Sequence, residues 1–205
     1  SAAGWISRDE LLLASETGLI RFDLATGTEQ AVAEAGAADT RSNDGRADRQ
    51  GGFWFGTMGK TAHKGAGAIW RWHRGELRQL FKGITIPNAI CFTPDGSAAH
   101  FADTATGRVM KVALDGQGWP QGEPEVWLDL DRAGLNPDGA VIDAEGRFWN
   151  AQWGAGRVAC YAPDGVFLHA VETPDAPHYS CQAFGGADLS KLFVNTALEH
   201  MEADA

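Results

Sequence analysis

The sequence predicts an all-β fold of the propeller class, and three observations predict it. A short core motif recurs five times, at residues 11–15, 53–57, 100–104, 148–152 and 192–196, with its second position at Leu12, Trp54, Phe101, Trp149 and Phe193. The spacings of 42, 47, 48 and 44 residues fall in the range of propeller blades built from short strands. A second segment follows four of these cores, at 18–22, 67–72, 107–112 and 156–161, and alternates apolar with polar residues. That is the period of a half-buried strand. Turn residues punctuate both series, so each period reads strand, turn, strand, turn.

In chain order, the turns Arg8-Asp9-Glu10, Asp48-Arg49-Gln50-Gly51, Pro94-Asp95-Gly96, Asp143-Ala144-Glu145-Gly146 and Gly186-Ala187-Asp188 lead into the five cores. Ala25-Thr26-Gly27, Asp115-Gly116 and Pro163-Asp164-Gly165 close the alternating segments. A β-sandwich also has many short strands, but not a composite motif repeated five times at near-constant spacing. Helical repeats fail because no stretch sustains an amphipathic 3.6-residue period. Residues 1–8 read as too short to supply the strand that should precede the first core. The chain also stops soon after the fifth core, and the polar stretch 199–205 reads as a loop. The expectation is therefore one partial propeller domain over 1–205, supplying about four and a half blades of a larger ring.

Composition bounds the function. With 44% hydrophobic residues, 205 residues can bury one core. A net charge of −10, from 17 basic and 27 acidic residues, argues against a nucleic-acid partner. No basic run suggests an anionic membrane surface, and no apolar stretch approaches a membrane span. Cys91, Cys160 and Cys181 are an odd number in apolar, strand-like contexts, and read as reduced core residues of a cytoplasmic protein. Most of the eight tryptophans are assigned to core packing, with Trp153 a candidate for the channel mouth.

Residues ahead of equivalent strands converge on the axis of a propeller. Counting back from the cores gives Asn43, Asn88, Asp138 and Ser180, lying 11, 13, 11 and 13 residues before Trp54, Phe101, Trp149 and Phe193. Three of the four are small carboxamides or carboxylates, hard oxygen donors suited to Ca²⁺, Mg²⁺ or Mn²⁺. Asn and Asp before Gly are also ordinary turn residues, so Asn43-Asp44-Gly45 and Asp138-Gly139 could be turns alone. Asn88 begins a buried strand and fits a turn poorly. Asp103 is either an outer support for a metal or a strand-end carboxylate bonded to backbone. Among the six histidines, His178 is the best placed for the channel. Ser180 has no adjacent base and no nucleophile elbow, which argues against serine-hydrolase chemistry.

These residues carry a family resemblance. Arg41-Ser42-Asn43-Asp44-Gly45-Arg46-Ala47-Asp48 with Phe53-Trp54-Phe55-Gly56-Thr57-Met58 resembles the signature of the gluconolactonase, senescence-marker-protein and luciferin-regenerating-enzyme family. Pro87-Asn88 with Asp103-Thr104, Pro137-Asp138-Gly139 with Phe148-Trp149, and 184–189 with Thr196-Ala197 resemble its later motifs in order. The resemblance implies a six-bladed propeller with one divalent metal in the central channel, Ca²⁺ favoured over Zn²⁺, Mn²⁺ or Mg²⁺. It implies Asn88 and Asp138 as metal ligands, Arg41 and Asn43 as binders of a sugar lactone, and Asp138 as general base. Two family residues lack counterparts. The further metal ligand, a Glu near the family's N-terminus, is not matched, and Gly59, Lys60 and Thr61 stand where an acidic substrate-site residue is expected.

The chemistry suits the residues. A divalent cation polarises a lactone carbonyl and lowers the pKa of a bound water, and a carboxylate takes the proton from that water. A carboxylate held by a cation is a weaker base. So either Asp138 loosens during turnover or the cation's own water is the nucleophile. Arg41 offers a rigid fork of donors to a polyol or carboxylate; its alternative is an inter-blade ion pair. Two function classes follow. One is a metal-dependent lactonase, with organophosphate or ester hydrolysis on the same site. The other is a non-catalytic calcium-binding or scaffold propeller. The set Arg41, Asn43, Asn88 and Asp138 favours the enzyme, because a scaffold needs none of them.

Overall fold

The computed structural model describes residues 1–172 and 176–198. The expected loop at 199–205 lies outside them. Eighteen strands and two single-turn 3₁₀ helices account for the regular structure among the described residues. The strands form five separate antiparallel sheets, each a meander in chain order. The first holds β1 (Ala2–Trp5), β2 (Glu10–Ala14), β3 (Gly18–Asp23) and β4 (Glu29–Glu34). The second holds β5 (Thr40–Ala47), β6 (Phe53–Gly59), β7 (Gly67–His73) and β8 (Glu76–Ile84). The third holds β9 (Pro87–Phe92), β10 (Ala98–Asp103), β11 (Arg108–Leu114) and β12 (Pro120–Asp129). The fourth holds β13 (Asn136–Ile142), β14 (Phe148–Trp153), β15 (Arg157–Tyr161) and β16 (Phe167–Glu172). The fifth pairs β17 (Tyr179–Gly185) with β18 (Lys191–Thr196).

The five repeated cores fall on the second strands and the alternating segments on the third. Residues 1–8 do supply a first strand: β1 pairs with β2 from Ala2↔Ala14 to Trp5↔Leu11. Four residues suffice because a first strand needs only one ladder partner. The expectation that this stretch was too short is therefore corrected.

Sheets pack on sheets through four apolar layers. Leu12, Leu19, Phe53 and Phe55 fill the space between the first and second. Trp54, Ile69, Ile90 and Phe101 fill the next. Ala89, Val109, Phe148 and Tyr161 fill the third, and Val141, Trp149, Val158 and Tyr179 the fourth. The first strands β1, β5, β9, β13 and β17 touch one another in sequence, while the fourth strands are largely exposed. That is radial packing around an axis, as the propeller reading requires. Not every tryptophan is core: Trp5 is 69% exposed.

One turn device is repeated. In the second sheet Asp48 Oδ1 accepts from the Gln50 and Gly52 amides, and Oδ2 accepts from Trp54 Nε1 and from Arg71 Nε at 2.7 Å. In the fourth, Asp143 Oδ1 accepts from the Glu145 and Arg147 amides, and Oδ2 from Trp149 Nε1 and Arg147 Nε. The turn carboxylate thus anchors the tryptophan of the following core. The Asp48–Arg71 pair is wholly buried, and Arg71 also lies over the Trp119 ring. Among the described residues no helix is long and apolar enough to cross a membrane.

Candidate active site

The first strands of the second to fifth sheets share an irregularity, which β1 lacks. Ser42 pairs with Thr57 but Gly45 with Phe55, so Asn43 and Asp44 together oppose Gly56. Ala89 and Ile90 oppose Phe101, and Asp138 and Gly139 oppose Ala151. Ser180 is the extra residue between the Tyr179 and Cys181 pairs. These two-against-one counts are β-bulges, which bend a strand and re-aim its side chains. Asn43, Asp138 and Ser180 therefore sit inside strands, at bulges, not in turns. The turn reading of Asn43-Asp44-Gly45 and Asp138-Gly139 is corrected accordingly. Glycine follows the bulged aspartate for reasons of space: a Cβ at Gly139 would stand 2.7 Å from Ser180 O on β17, and one at Gly45 2.8 Å from Trp54 O. In the third sheet the bulge carries a non-glycine residue with positive φ, Ala89 at 55°, a conformation kept where the surroundings impose it.

The bulges open on a cavity of about 790 Å³, whose lining includes Arg41, Asn43, Asn88 and Asp138. All four site residues expected from the sequence meet there. A larger groove of about 940 Å³ runs between β4 and Trp70, lined mainly by small and aliphatic residues and by three glutamates, Glu16, Glu29 and Glu34. The smaller cavity is the one that gathers the residues expected from the sequence.

A hydrogen-bond chain crosses three sheets along this cavity. Arg41 Nη1 donates to Asn43 Oδ1 (3.1 Å), Asn43 Nδ2 to Asn88 Oδ1 (3.1 Å), Asn88 Nδ2 to Thr104 Oγ1 (2.8 Å), and Thr104 Oγ1 to Pro137 O (2.6 Å). Its direction is fixed from the far end. A carbonyl only accepts, so Thr104 must donate to Pro137 and accept from Asn88. Asn88 then turns its oxygen toward Asn43. Asn43 Nδ2 also donates to Pro87 O (3.0 Å), which aims its oxygen at Arg41. Both amides are set by backbone carbonyls. The alternative for Arg41, an inter-blade ion pair, is not formed: none of the salt bridges among the described residues includes it.

Asp138 is half-buried in the cavity wall. Burial and then the charge of Asp44 raise its pKa to about 7, against weaker hydrogen bonds from the Gly139 amide and the Ser180 hydroxyl. Ser180 therefore does have an acidic neighbour, contrary to expectation, but among the described residues no imidazole completes a nucleophilic set. Asp44 was missed as a site residue. Its Oδ1 accepts from Gly45 N and its Oδ2 from Ile90 N, each at 2.8 Å, and burial raises its pKa despite these bonds and the nearby Arg46. Arg46 spans the axis, donating to Ile90 O and Ala140 O at 3.0 Å each.

Asn150 and Gln182, also missed, are buried beneath the β13 bulge. Asn150 Nδ2 donates to Asp138 O and Gly139 O, and Gln182 Nε2 to Gly139 O and Trp149 O. They satisfy carbonyls that the bulge removes from the ladder. One signal was present: Asn150 occupies the third position of a core motif where Leu13, Phe55, Ala102 and Val194 stand elsewhere.

Trp153 lines the cavity as expected. His178 does not; it stacks on Trp153, with centroids 4.6 Å apart and an 11° interplanar angle. Asp103 is bonded to backbone, accepting from the Thr85, Ile86 and Ala105 amides. All three cysteines are free, but Cys181 is only half-buried and borders the cavity, so its reading as a core residue is corrected. Among the described residues no group of three or more His, Cys, Asp and Glu side chains could hold a metal. The oxygen donors available to a cation are the Asp138 carboxylate and the oriented Asn88 amide oxygen.

A family model described as SMP-30/Gluconolactonase/LRE-like region matches residues 1–198. A relative from Rhizobium meliloti is 44% identical over 163 residues, covering 79% of this chain and 55% of its own length. The 6-deoxy-6-sulfogluconolactonase of Pseudomonas putida is 32% identical over 94% of this chain and 67% of that protein. The L-arabinolactonase of Azospirillum brasilense is 34% identical over 96% of this chain and 66% of that protein. The chain thus spans between about half and two thirds of these relatives. Among solved structures, a calcium-binding protein, regucalcin, from Agrobacterium tumefaciens superposes with a TM-score of 0.95 at 43% identity, covering 100% of this chain and 70% of that one. By the family match and these relatives, the chain belongs to the SMP-30/gluconolactonase/LRE-like family.

Proposed function

We propose that this protein hydrolyses a sugar lactone at the axial cavity of a six-bladed propeller, with a divalent cation, Ca²⁺ favoured, bound beside Asp138. The observation that carries the reading is the meeting of Arg41, Asn43, Asn88 and Asp138 at one cavity, with Asp138 titrating near 7. The names of the Pseudomonas putida and Azospirillum brasilense relatives, both lactonases of sugars, support it. The three free thiols agree with a cytoplasmic setting.

Asp138 and Asn88 would hold the cation. The donor set fits: one carboxylate that burial leaves short of positive charge, and one amide whose oxygen the Thr104 contact orients and which, beyond the Asn43 hydrogen bond, keeps a second lone pair. When bound, the cation supplies Lewis-acid polarisation of the lactone carbonyl. Arg41 and Asn43 hold ring or hydroxyl oxygens, and the Trp153 face, backed by His178, supports the C–H side of the sugar. Ionised Asp138 takes a proton from water as the water oxygen adds to the carbonyl carbon. Collapse of the tetrahedral adduct breaks the ring C–O bond, and Asp138 returns its proton to the leaving alkoxide, giving the open hydroxy acid. Without a cation Asp138 titrates near 7; holding one lowers that value, so the carboxylate acts as base only as it loosens from the cation.

The test is acid release from a panel of aldonolactones, followed with a pH indicator, after EDTA treatment and after add-back of Ca²⁺, Mn²⁺, Zn²⁺ or Mg²⁺. Cation-restored hydrolysis supports the reading. A folded protein inert toward every lactone with every cation refutes it in favour of the non-catalytic calcium-binding alternative.

A further inference from the structure

We propose that the lactone taken by this site carries an anionic substituent (a carboxylate, phosphate or sulfonate), which Lys60 and Arg41 bind together at the cavity rim. The inference rests on the lactonase reading of the same cavity and names the substrate class within it.

The geometry begins with strand register. Arg41 on β5 pairs with Met58 on β6, and Lys60 is two residues beyond Met58. Diagonal neighbours across an antiparallel pair stand roughly 7–8 Å apart, within joint reach of long side chains. Both line the cavity, as does Met58.

The turn that carries Lys60 is pinned. Its amide donates to Asp39 O at 2.9 Å, Ala62 N donates to Gly59 O at 2.8 Å, and Ala62 takes a φ of 54°. His63 Nε2 lies 3.2 Å from Asp39 Oδ2, and the ring folds over Gly59, where a Cβ would strike it. A turn held from both sides presents its lysine at a set place.

The charges are also placed for an anion. The acidic residues lining the cavity, Asp44 and Asp138, belong to its bulges and take backbone hydrogen bonds. The rim charges are Arg41 and Lys60, in a chain of net charge −10. Arg41 has no carboxylate partner among the described salt bridges, and Lys60 pairs only with Glu16, both side chains being well exposed. An exposed pair of this kind is worth little and is readily exchanged for a ligand. An anion seated at the rim within reach of both side chains would draw on both positive charges and compete with Glu16 for the lysine. The guanidinium fork and the ammonium together match a tetrahedral or planar oxyanion.

The test compares kcat/KM of the intact holoprotein on matched aldonolactones differing only at the terminal carbon: hydroxymethyl, carboxylate, phosphate and sulfonate. At low salt at least one anionic lactone should exceed the neutral one by roughly tenfold or more, as expected for one charge-assisted contact, and the advantage should shrink as salt rises. The best of the three anions identifies the group. Lys60→Gln should lower the anionic-to-neutral ratio about tenfold, and Lys60→Glu should bring it below one. A wild-type ratio at or below one for all three anions, or a ratio unmoved by Lys60→Glu, overturns the proposal while leaving lactone hydrolysis intact. If no lactone is hydrolysed, the lactonase reading falls by itself. Calorimetry with the ring-opened terminal sulfonate and its neutral counterpart then decides. Preferential binding of the sulfonate that Lys60→Glu abolishes upholds the anion site, and equal binding overturns it.

Discussion

Replacing Asp138 by Asn tests the axial cavity without turnover. In the metal-free fold Asp138 titrates at about 7 against a reference of 3.8, a rise of about 3 units caused first by burial and then by the Asp44 charge. The sign follows from proton counting. Between about pH 4 and 7 the folded chain keeps a proton that the unfolded chain has lost, so stability falls as pH rises through that window. Above 7 the folded state carries an unrelieved buried charge, a cost of at most about 4 kcal/mol at 1.36 kcal/mol per unit. The side chain keeps part of its surface in the cavity, so about 2–3 kcal/mol is the expected size. Asn carries no charge at any pH. Guanidinium unfolding in EDTA should therefore show Asp138→Asn gaining about 2–3 kcal/mol on wild type between pH 5 and pH 8, on top of any constant offset from the altered Gly139 and Ser180 hydrogen bonds. A difference independent of pH would refute the reasoning. The same variant should lose about 10²–10⁴-fold in kcat on any lactone the wild type hydrolyses.

Thr104→Val removes the hydroxyl that orients Asn88, and should lower kcat/KM and cation affinity about tenfold each, by kinetics and calorimetry, while Thr104→Ser restores both. Asp48→Asn strands the buried Arg71 guanidinium and should cost about 3–5 kcal/mol in chemical denaturation, with kcat/KM of the folded fraction unchanged. His100 is buried against Trp127 and Phe148, with its pKa pushed down to about 3 first by burial and then by Lys111. Its neutral form is the one folding accepts, so the stability it permits is complete above about 6.5 and is lost as pH falls. His100→Leu should lessen the acid sensitivity by about 2 kcal/mol between pH 6.5 and 5, read from denaturation midpoints.

Much of the fold was legible because the second strands of the second, third and fourth sheets are buried on both faces. Trp54, Phe101 and Trp149 are apolar for that reason, and their spacing is the sheet period. Residues 1–8 misled because a first strand lies on the axis and is packed by its neighbours, so β1 needs little hydrophobic signal of its own. The site was legible through register: Asn43, Asn88 and Asp138 stand at similar distances before their cores. Asp44 escaped because an aspartate before glycine has the same local pattern in a turn as in a bulge. Only the pairing of β5 with β6 separates the two. Lys60 escaped as a ligand because its importance lies in facing Arg41 diagonally, a relation across strands that no local window contains.

The bulges also make the site sensitive to counting. In a regular strand neighbouring side chains face opposite ways, so Asn43 and Asp44 could not both border one cavity. The extra residue in β5 allows it, and that in β13 does the same for Asp138 and Gly139. A one-residue deletion between Pro137 and Ala140 would restore an unbroken ladder and could leave the sheet more regular than before. It would leave the pairs upstream of Pro137 as they are, but would either remove Asp138 or seat it as an ordinary ladder residue opposite Ala151, without the bulge that aims its carboxylate into the cavity. Loss of function by such a deletion would come with a sound fold, whereas the outer turns, which no site residue counts from, can lengthen or shorten freely.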